Sequence, residues 1–278
     1  MCVQKKILIT GAKSYIGEAV KEYLLREPEK YKVDITEAKG LKPVPDMFKG
    51  YDVVFNVAGI AHIKETAENR HLFYEVNRDL VIDIAKAAKE AGAKQFILLS
   101  SMSVYGLVTG HITKNTIPHP TNAYGDSKLQ ADEEIKKLEE NNFKFACLRA
   151  PMVYGKGCKG NYQALRKFVL ASPVFPYCNN KRSMIYIGNL CEFVKQVIDS
   201  EKAGLFFPQN AIYTNTSEMA ELIAKIHNRN TFFTGIFNWV ITLVPLSVVK
   251  KVFGDLTYEQ VDLVNKFTFE ESILLTEK

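Results

Sequence analysis

Residues 6–17 read Lys6-Ile7-Leu8-Ile9-Thr10-Gly11-Ala12-Lys13-Ser14-Tyr15-Ile16-Gly17. The run Ile7-Leu8-Ile9 is short, apolar and partly β-branched, as a strand buried on both faces is. It stops at Thr10-Gly11, and a helical stretch (15–26) follows a tight turn. Such a turn brings backbone N–H groups and the positive end of a helix dipole to one point, which suits a pyrophosphate. Gly11 and Gly17 fit a backbone that must approach an anion closely, and Ser14 takes the place of the usual middle glycine. Alone, a glycine turn after a strand is a weak signal, because a plain strand–helix turn reads the same.

The pattern continues. Apolar runs at 31–36, 52–57, 95–100 and 144–149 alternate with helical stretches at 67–92, interrupted near Arg70, and 124–141. Alternation of this kind predicts an α/β, Rossmann-like, doubly wound parallel sheet that binds ligands at the carboxyl ends of its strands. Beyond Pro151 the chain becomes loop-rich. A return at 183–208, with a last strand near Gly204 to Pro208, predicts a first domain of residues 1–150 plus 183–208. A smaller, split C-terminal lobe of 151–182 plus 209–278 would complete the chain. The charged run Asp132 to Glu140 has helical spacing and reads as a solvated face.

The chemistry sits at 100–128. Ser100-Ser101-Met102-Ser103-Val104-Tyr105-Gly106 ends the apolar strand at 95–99, and Tyr124-Gly125-Asp126-Ser127-Lys128 opens a helix. The i, i+4 spacing puts Tyr124 and Lys128 on one helix face. A free phenol has a pKa of ~10 and is a poor base at neutral pH. A nearby ammonium should lower that value, and Ser101 could hydrogen-bond the same substrate oxygen. This equipment moves a proton on and off a carbinol oxygen, which calls for a hydride acceptor.

These motifs, taken in this order, resemble the extended short-chain dehydrogenase/reductase superfamily, in its NAD-dependent nucleotide-sugar epimerase/dehydratase branch. Thr10-Gly11 through Ile16-Gly17 resembles its cofactor turn. Asp52 to Gly59 resembles the strand on the adenine side, and Val76-Asn77 the start of a family helix. Leu148 to Gly155 resembles the segment beside the nicotinamide. Lys159-Gly160-Asn161-Tyr162 and Arg182 to Ile187 resemble segments that hold a nucleotide diphosphate. The tail from Phe267 to Ile273 resembles the family's last helix.

The resemblance implies a Ser101–Tyr124–Lys128 triad. It implies cofactor contacts from Gly11, Ser14, Tyr15, Ile16, Gly17, Val57, Ala58, Gly59, Asn77, Tyr124, Lys128, Pro151 and Met152. Substrate contacts would come from Ser101, Asn161 and Arg182. Glu37 fits the acid that bonds the adenosine ribose, with Asp34 an alternative by distance. An acid there favours NAD, with NADP the other option. The partner implied is a UDP-linked sugar, and relatives often form homodimers through helices equivalent to 77–90 and 124–140. Relatives that dehydrate the sugar carry Asp-Glu where this chain has Met102-Ser103, so no 4,6-dehydratase activity is expected. Epimerase and 4-keto reductase both stay open, as does a non-catalytic NAD-binding regulatory role. Gly188-Asn189 stand where relatives often carry two acids.

Composition sets the remaining bounds. The 278 residues are 47% hydrophobic with net charge +5. No basic run interleaves with aromatics, so nucleic acid is not an expected partner. Five scattered cysteines (2, 147, 158, 178, 191) without a Cys-x-x-Cys pair, and five histidines (62, 71, 111, 119, 227) without metal spacing, predict a reduced, metal-free, cytoplasmic protein. His62 reads as a loop residue that could border a substrate pocket. The first strand begins too early for a signal peptide. The stretch 232–252 is apolar but interrupted by Gly235, Asn238, Thr242, Pro245 and Ser247, so no stable membrane span is expected. Surface contact with a membrane stays open there.

Overall fold

A computed structural model describes residues 4–38, 40–61, 63–236, 252–260 and 265–278. His62, Lys39 and most of the 232–252 stretch lie outside the described residues. The chain forms two compact units: 1–106, 117–150 and 191–208 make the first, and 107–116, 151–190 and 209–278 the second.

The first unit is built on six strands: β1 (Lys5–Thr10), β2 (Tyr31–Thr36), β3 (Val53–Asn56), β4 (Gln95–Ser101), β6 (Lys144–Ala150) and β10 (Gly204–Phe206). Their order is β10-β6-β4-β3-β1-β2, and every pairing is parallel. This is the expected doubly wound α/β sheet. From β1 the chain moves to β2 on one side, then crosses back to β3 on the other. That reversal opens a crevice at the carboxyl ends of β1 and β3, where open α/β sheets bind ligands.

Strand alternation divides the core. Leu8, Val54, Phe96, Leu98 and Cys147 pack with Val81 and Ile84 of α3 (Leu80–Glu90) and with Ala131 and Ile135 of α4 (Ala123–Lys136). On α1 (Tyr15–Leu24), Tyr23 donates to Glu192 of α6 (Ile187–Asp199) at 2.5 Å, and Tyr31 of β2 donates to Asp199 at 2.5 Å. The helical stretch read at 67–92 starts at Arg70 rather than breaking there. It runs as α2 (Arg70–Tyr74), a π-helical turn (Glu75–Asp79) and α3. Asn77 lies in the π turn, a distortion that often accompanies function.

Among the described residues the second unit has three short parallel pairs. β5 (Gly110–Ile112) pairs with β12 (Leu256–Tyr258), β7 (Met152–Tyr154) with β9 (Met184–Tyr186), and β8 (Val174–Pro176) with β11 (Phe232–Thr234). The first two pairings draw 107–116 and 183–190 into this unit, whereas the sequence reading set both with the first domain. Among the described residues its helices include α5 (Asn161–Ala171), α7 (Thr216–Ile226) and α8 (Phe269–Glu277). Tyr154 stacks on Tyr162 at 5.6 Å between centroids, and its hydroxyl meets Ser272 Oγ at 2.6 Å.

The Glu277 carboxylate joins these three helices. It accepts from Tyr162 OH (2.6 Å), Arg166 Nε (2.6 Å) and His227 Nε2 (2.5 Å), and its side chain is fully buried. Burial alone would raise the Glu277 pKa. The hydrogen bonds from Tyr162, His227 and Arg166 outweigh it and hold the carboxyl below its ordinary 4.5. A depressed folded-state pKa stabilises above the unfolded value, and the gain fades as pH falls through the folded one. Glu277→Gln should therefore cost about 2 kcal/mol at pH 7. Urea melts should show that difference shrinking as the pH falls below 4.5.

Candidate active site

The site in the first unit begins with a tight fit between α4 and the end of β4. Ser101 closes the strand and caps the 3-10 turn Met102–Tyr105, its Oγ accepting from Ser103 N at 3.1 Å. Asn122 caps α4, accepting from Gly125 N at 2.8 Å. A Cβ on Gly125 would lie 2.5 Å from Ser103 O, so only glycine lets the helix start this close to the turn. The adjacent Tyr124 is thereby brought to Ser101, whose hydroxyl faces the phenol and favours its ionised form. Phe73 of α2 supports the Tyr124 ring edge-on, with centroids 6.5 Å apart.

One turn on, Lys128 is buried and its Nζ donates to Leu99 O at 3.0 Å. A Cβ on Gly59 would sit 3.2 Å from that Nζ and 2.9 Å from Asn77 Oδ1. Gly59 thus leaves room for the lysine, a role its position in the sequence did not suggest. Asn77 is fully buried: Oδ1 accepts from Ile60 N (2.7 Å), and Nδ2 donates to Ile60 O (3.1 Å) and Ser127 Oγ (3.4 Å). It ties the loop after β3 to α4.

The electrostatics depart from the expectation at one point. Burial pushes the Tyr124 phenol up rather than down, with the Asp132 charge adding to the rise and Ser101 opposing it. Burial also brings Lys128 down to about 8, opposed by Asp132 and Cys147. Desolvation disfavours both the phenolate and the ammonium, and here it outweighs the attraction expected between them. A second correction concerns Asp132. Read as part of a solvated face, it is 3% exposed, with its Oδ2 accepting from Ser100 Oγ at 2.9 Å and Arg149 Nε at 3.0 Å. Arg149 Nη1 also donates to Tyr105 OH at 2.8 Å. Sequence reasoning missed this cluster; the four-residue step from Lys128 to Asp132 was the available signal.

The glycine turn lies at the crevice between β1 and β3. Gly11 has φ +119°, and a Cβ there would meet Ala58 N at 3.0 Å and Val57 Cγ2 at 3.1 Å. Ser14 caps α1, its Oγ accepting from Gly17 N at 3.0 Å, and a Cβ on Gly17 would lie 2.5 Å from that oxygen. The serine that replaces the usual glycine is therefore the helix cap. Tyr15 and Ile16 form the first turn of α1. These residues leave a cradle of bare backbone at a helix N-terminus, which fits a dinucleotide pyrophosphate.

Asp34 is engaged by Tyr51 OH at 2.9 Å, whereas Glu37, just past β2, is exposed and 3.8 Å from Lys13 Nζ. The remaining candidates belong to the second unit. Pro151 is buried, Met152 opens β7, and Asn161 is exposed at the start of α5. Arg182 is partly buried, which lowers its pKa, and its Nη1 donates to Gly254 O at 2.6 Å. Gly188-Asn189 also find an explanation. A Cβ on Gly188 would strike the rings of Tyr186 (2.6 Å) and Phe267 (2.8 Å), and Asn189 exchanges hydrogen bonds with the Phe267 backbone.

Two measurements follow from this geometry. Asn77→Leu strands the Ile60 amide and carbonyl and should cost about 1–3 kcal/mol per unpaired group in urea unfolding. Gly11→Val puts a branched side chain into a positive-φ site against Ala58. It should weaken dinucleotide binding, read by calorimetry, by at least about tenfold.

Comparison with known proteins identifies the family. The model of the NAD dependent epimerase/dehydratase family matches residues 7–206. UDP-glucose 4-epimerase of Vibrio cholerae is 27% identical over 290 residues, covering 95% of this chain and 85% of that protein. An N-acetyl-alpha-D-glucosaminyl-diphospho-ditrans,octacis-undecaprenol 4-epimerase of Escherichia coli O157:H7 is 24% identical, covering 79% and 71%. Among solved structures, UDP-glucuronic acid 4-epimerase from Bacillus cereus with NAD aligns with TM-score 0.76 at 15% identity, covering 98% of this chain and 97% of that one. dTDP-4-dehydrorhamnose reductase from Bacillus anthracis with NADP aligns with TM-score 0.76 at 18%, covering 98% of each. With its glycine turn, its Ser–Tyr–Lys arrangement and a match running from β1 to β10, the chain belongs to the NAD dependent epimerase/dehydratase family.

Proposed function

We propose that this protein is an NAD-dependent nucleotide-sugar epimerase that inverts C4 of a UDP-linked hexose through a transient ketone. The observation that carries this reading is the meeting of Ser101 with the Tyr124 phenol, one helical turn from buried Lys128. In this reading Gly11, Ser14, Tyr15, Ile16 and Gly17 hold the pyrophosphate and Glu37 the adenosine ribose. Val57, Ala58, Gly59 and Asn77 line the adenine side and the active-site loop, and Pro151 and Met152 border the nicotinamide. Lys128 bonds the nicotinamide ribose, while Asn161 and Arg182 hold the substrate diphosphate. The nicotinamide, when bound, supplies the hydride acceptor at C4 and gives the hydride back.

The chain's own residues manage the proton. Ser101 hydrogen-bonds the C4 oxygen and fixes its position. Tyr124 takes the hydroxyl proton as the ketone forms and returns it when the carbinol re-forms. The Lys128 ammonium favours the phenolate during that interval. Inversion requires the ketone to present its other face before the hydride returns.

A second reading has its own support. Burial keeps the Tyr124 phenol protonated, and a protonated phenol is the form that reduction of a delivered 4-keto sugar needs at its start. A 4-keto sugar nucleotide reductase would use the same residues, with NADPH as an alternative donor. A regulatory protein that only binds NAD would have no use for a hydroxyl and a phenol brought together beside that lysine. Met102 and Ser103 offer no acid or base beside Ser101, so we assign no dehydratase activity. A homodimer formed through α3 and α4 and a cytoplasmic location complete the proposal. Among the described residues, no helix is long and apolar enough to cross a membrane.

The test is an NMR assay with NAD and a panel of UDP-hexoses, extended to a polyprenyl-diphosphate N-acetylhexosamine because one relative is named for such a substrate. Inversion at C4 without net NADH formation is expected. Steady NADH or NADPH consumption on a 4-keto sugar nucleotide, without inversion, would replace the epimerase with the reductase. Tyr124→Phe should lower turnover by about 100-fold or more and leave cofactor affinity nearly unchanged.

A further inference from the structure

We propose that Asp132, clamped by Ser100 and Arg149, is a positioning residue that holds Lys128 in its charged form. The argument starts from placement. Tyr124, Lys128 and Asp132 stand four residues apart on α4, so their side chains follow one another along one face. Lys128 and Asp132 are 4% and 3% exposed, and among the described residues the lysine Nζ donates to the neutral Leu99 carbonyl. A buried ammonium bonded to a neutral acceptor loses its hydration without a countercharge in direct contact, a cost that drives such groups to give up the proton. The carboxylate one turn further on is the anion that acts on it.

Asp132 is itself held in place. Its Oδ2 takes two hydrogen bonds, from Ser100 of β4 and Arg149 of β6, which are register partners in the sheet. Arg149 is fixed by the Tyr105 hydroxyl at 2.8 Å and packs over the Tyr105 ring at 5.1 Å from its centroid. Two cations, Lys128 and Arg149, thus share one anion in a buried cluster beside a neutral phenol. Loss of the phenol's proton would bring the cluster to neutrality.

The groups that face this pair can be named by element. Tyr124 lies on α4 itself, Ser100 and Ser101 on β4, Cys147 and Arg149 on β6, and Tyr105 on the turn after β4. Burial keeps the Cys147 thiol and the Tyr105 phenol protonated, both being pushed up. Burial also pushes Asp132 upward, opposed by the Arg149 charge and the Ser100 hydrogen bond. The Arg149–Asp132 pair therefore decides whether the lysine has an ionised neighbour.

The experiment is an NMR titration of the full-length protein labelled with ¹³C at lysine Cε, the Lys128 signal being assigned through Lys128→Arg. Wild type should titrate near pH 8, in keeping with the depressed value of about 8. Asp132→Asn should move that midpoint down by about one pH unit, and Asp132→Glu should restore it. The alkaline limb of the turnover profile should follow the same order. A residue that only braced the helix would lower thermal stability and leave the midpoint in place, and an unmoved midpoint in folded Asp132→Asn would overturn the proposal. Should that variant not fold, Ser100→Ala decides, because loss of its hydrogen bond must shift the midpoint in the same direction by a smaller amount. No shift there also overturns it. The inference concerns the site proposed above, but the titration needs no substrate. A silent sugar panel with a moving midpoint counts against the function alone, and the converse against Asp132 alone.

Discussion

The approach of α4 to the carboxyl end of β4 is the constraint on which the site depends. The clearance is set by Gly125 against Ser103 O, where any side chain would push the helix away. From that contact the rest follows by helix geometry. Tyr124 reaches Ser101, Lys128 lies one turn deeper under Gly59, and Asp132 arrives at the Ser100–Arg149 step of the sheet. The site is a stack of polar side chains along one helix face, laid on the strand end that carries the hydroxyl. A helix that buries Ser127, Lys128 and Asp132 accepts a desolvation cost that an ordinary amphipathic helix avoids. Part of that cost is offset by the bonds that Lys128 and Asp132 make to β4 and β6.

Much of this was legible in the residues. The five apolar runs fall within two residues of β1, β2, β3, β4 and β6, because a parallel strand buried on both faces must be apolar throughout. The glycine turn and the serine pair were read at the carboxyl ends of their strands, and the structure has Gly11 directly after β1 and Ser101 closing β4. The i, i+4 step put Tyr124 and Lys128 on one helix face, whereas Ser101 was singled out through the family resemblance.

What escaped has physical reasons as well. Asp132 sits in a charged run whose other members, such as Glu133 and Glu134, do face solvent. Only the sheet's register reveals that an arginine waits beneath one of them. The sign of the Tyr124 shift depended on how deeply the phenol is buried, which no spacing encodes. The π turn at Glu75–Asp79 leaves little trace, since one extra residue in a turn looks like helix in sequence. The second unit was least readable. Its strands are three residues long, too short for a period, and β5 finds its partner in β12, about 140 residues away.

The first unit is interrupted in sequence before its sheet is finished. β6 ends at Ala150, yet the neighbour that covers its free edge, β10, begins only at Gly204, with the Pro151–Leu190 segment of the second unit between them. During synthesis the sheet would therefore stand for a time with Ala146, Cys147 and Leu148 on an open parallel edge. An uncovered edge of this kind invites pairing with another chain. Strand pairings that close over long stretches of sequence are also slow to form. The short β10 thus acts as a late-arriving seal, and the interval before it docks is when a nascent molecule is most open to aggregation or to rescue by a chaperone.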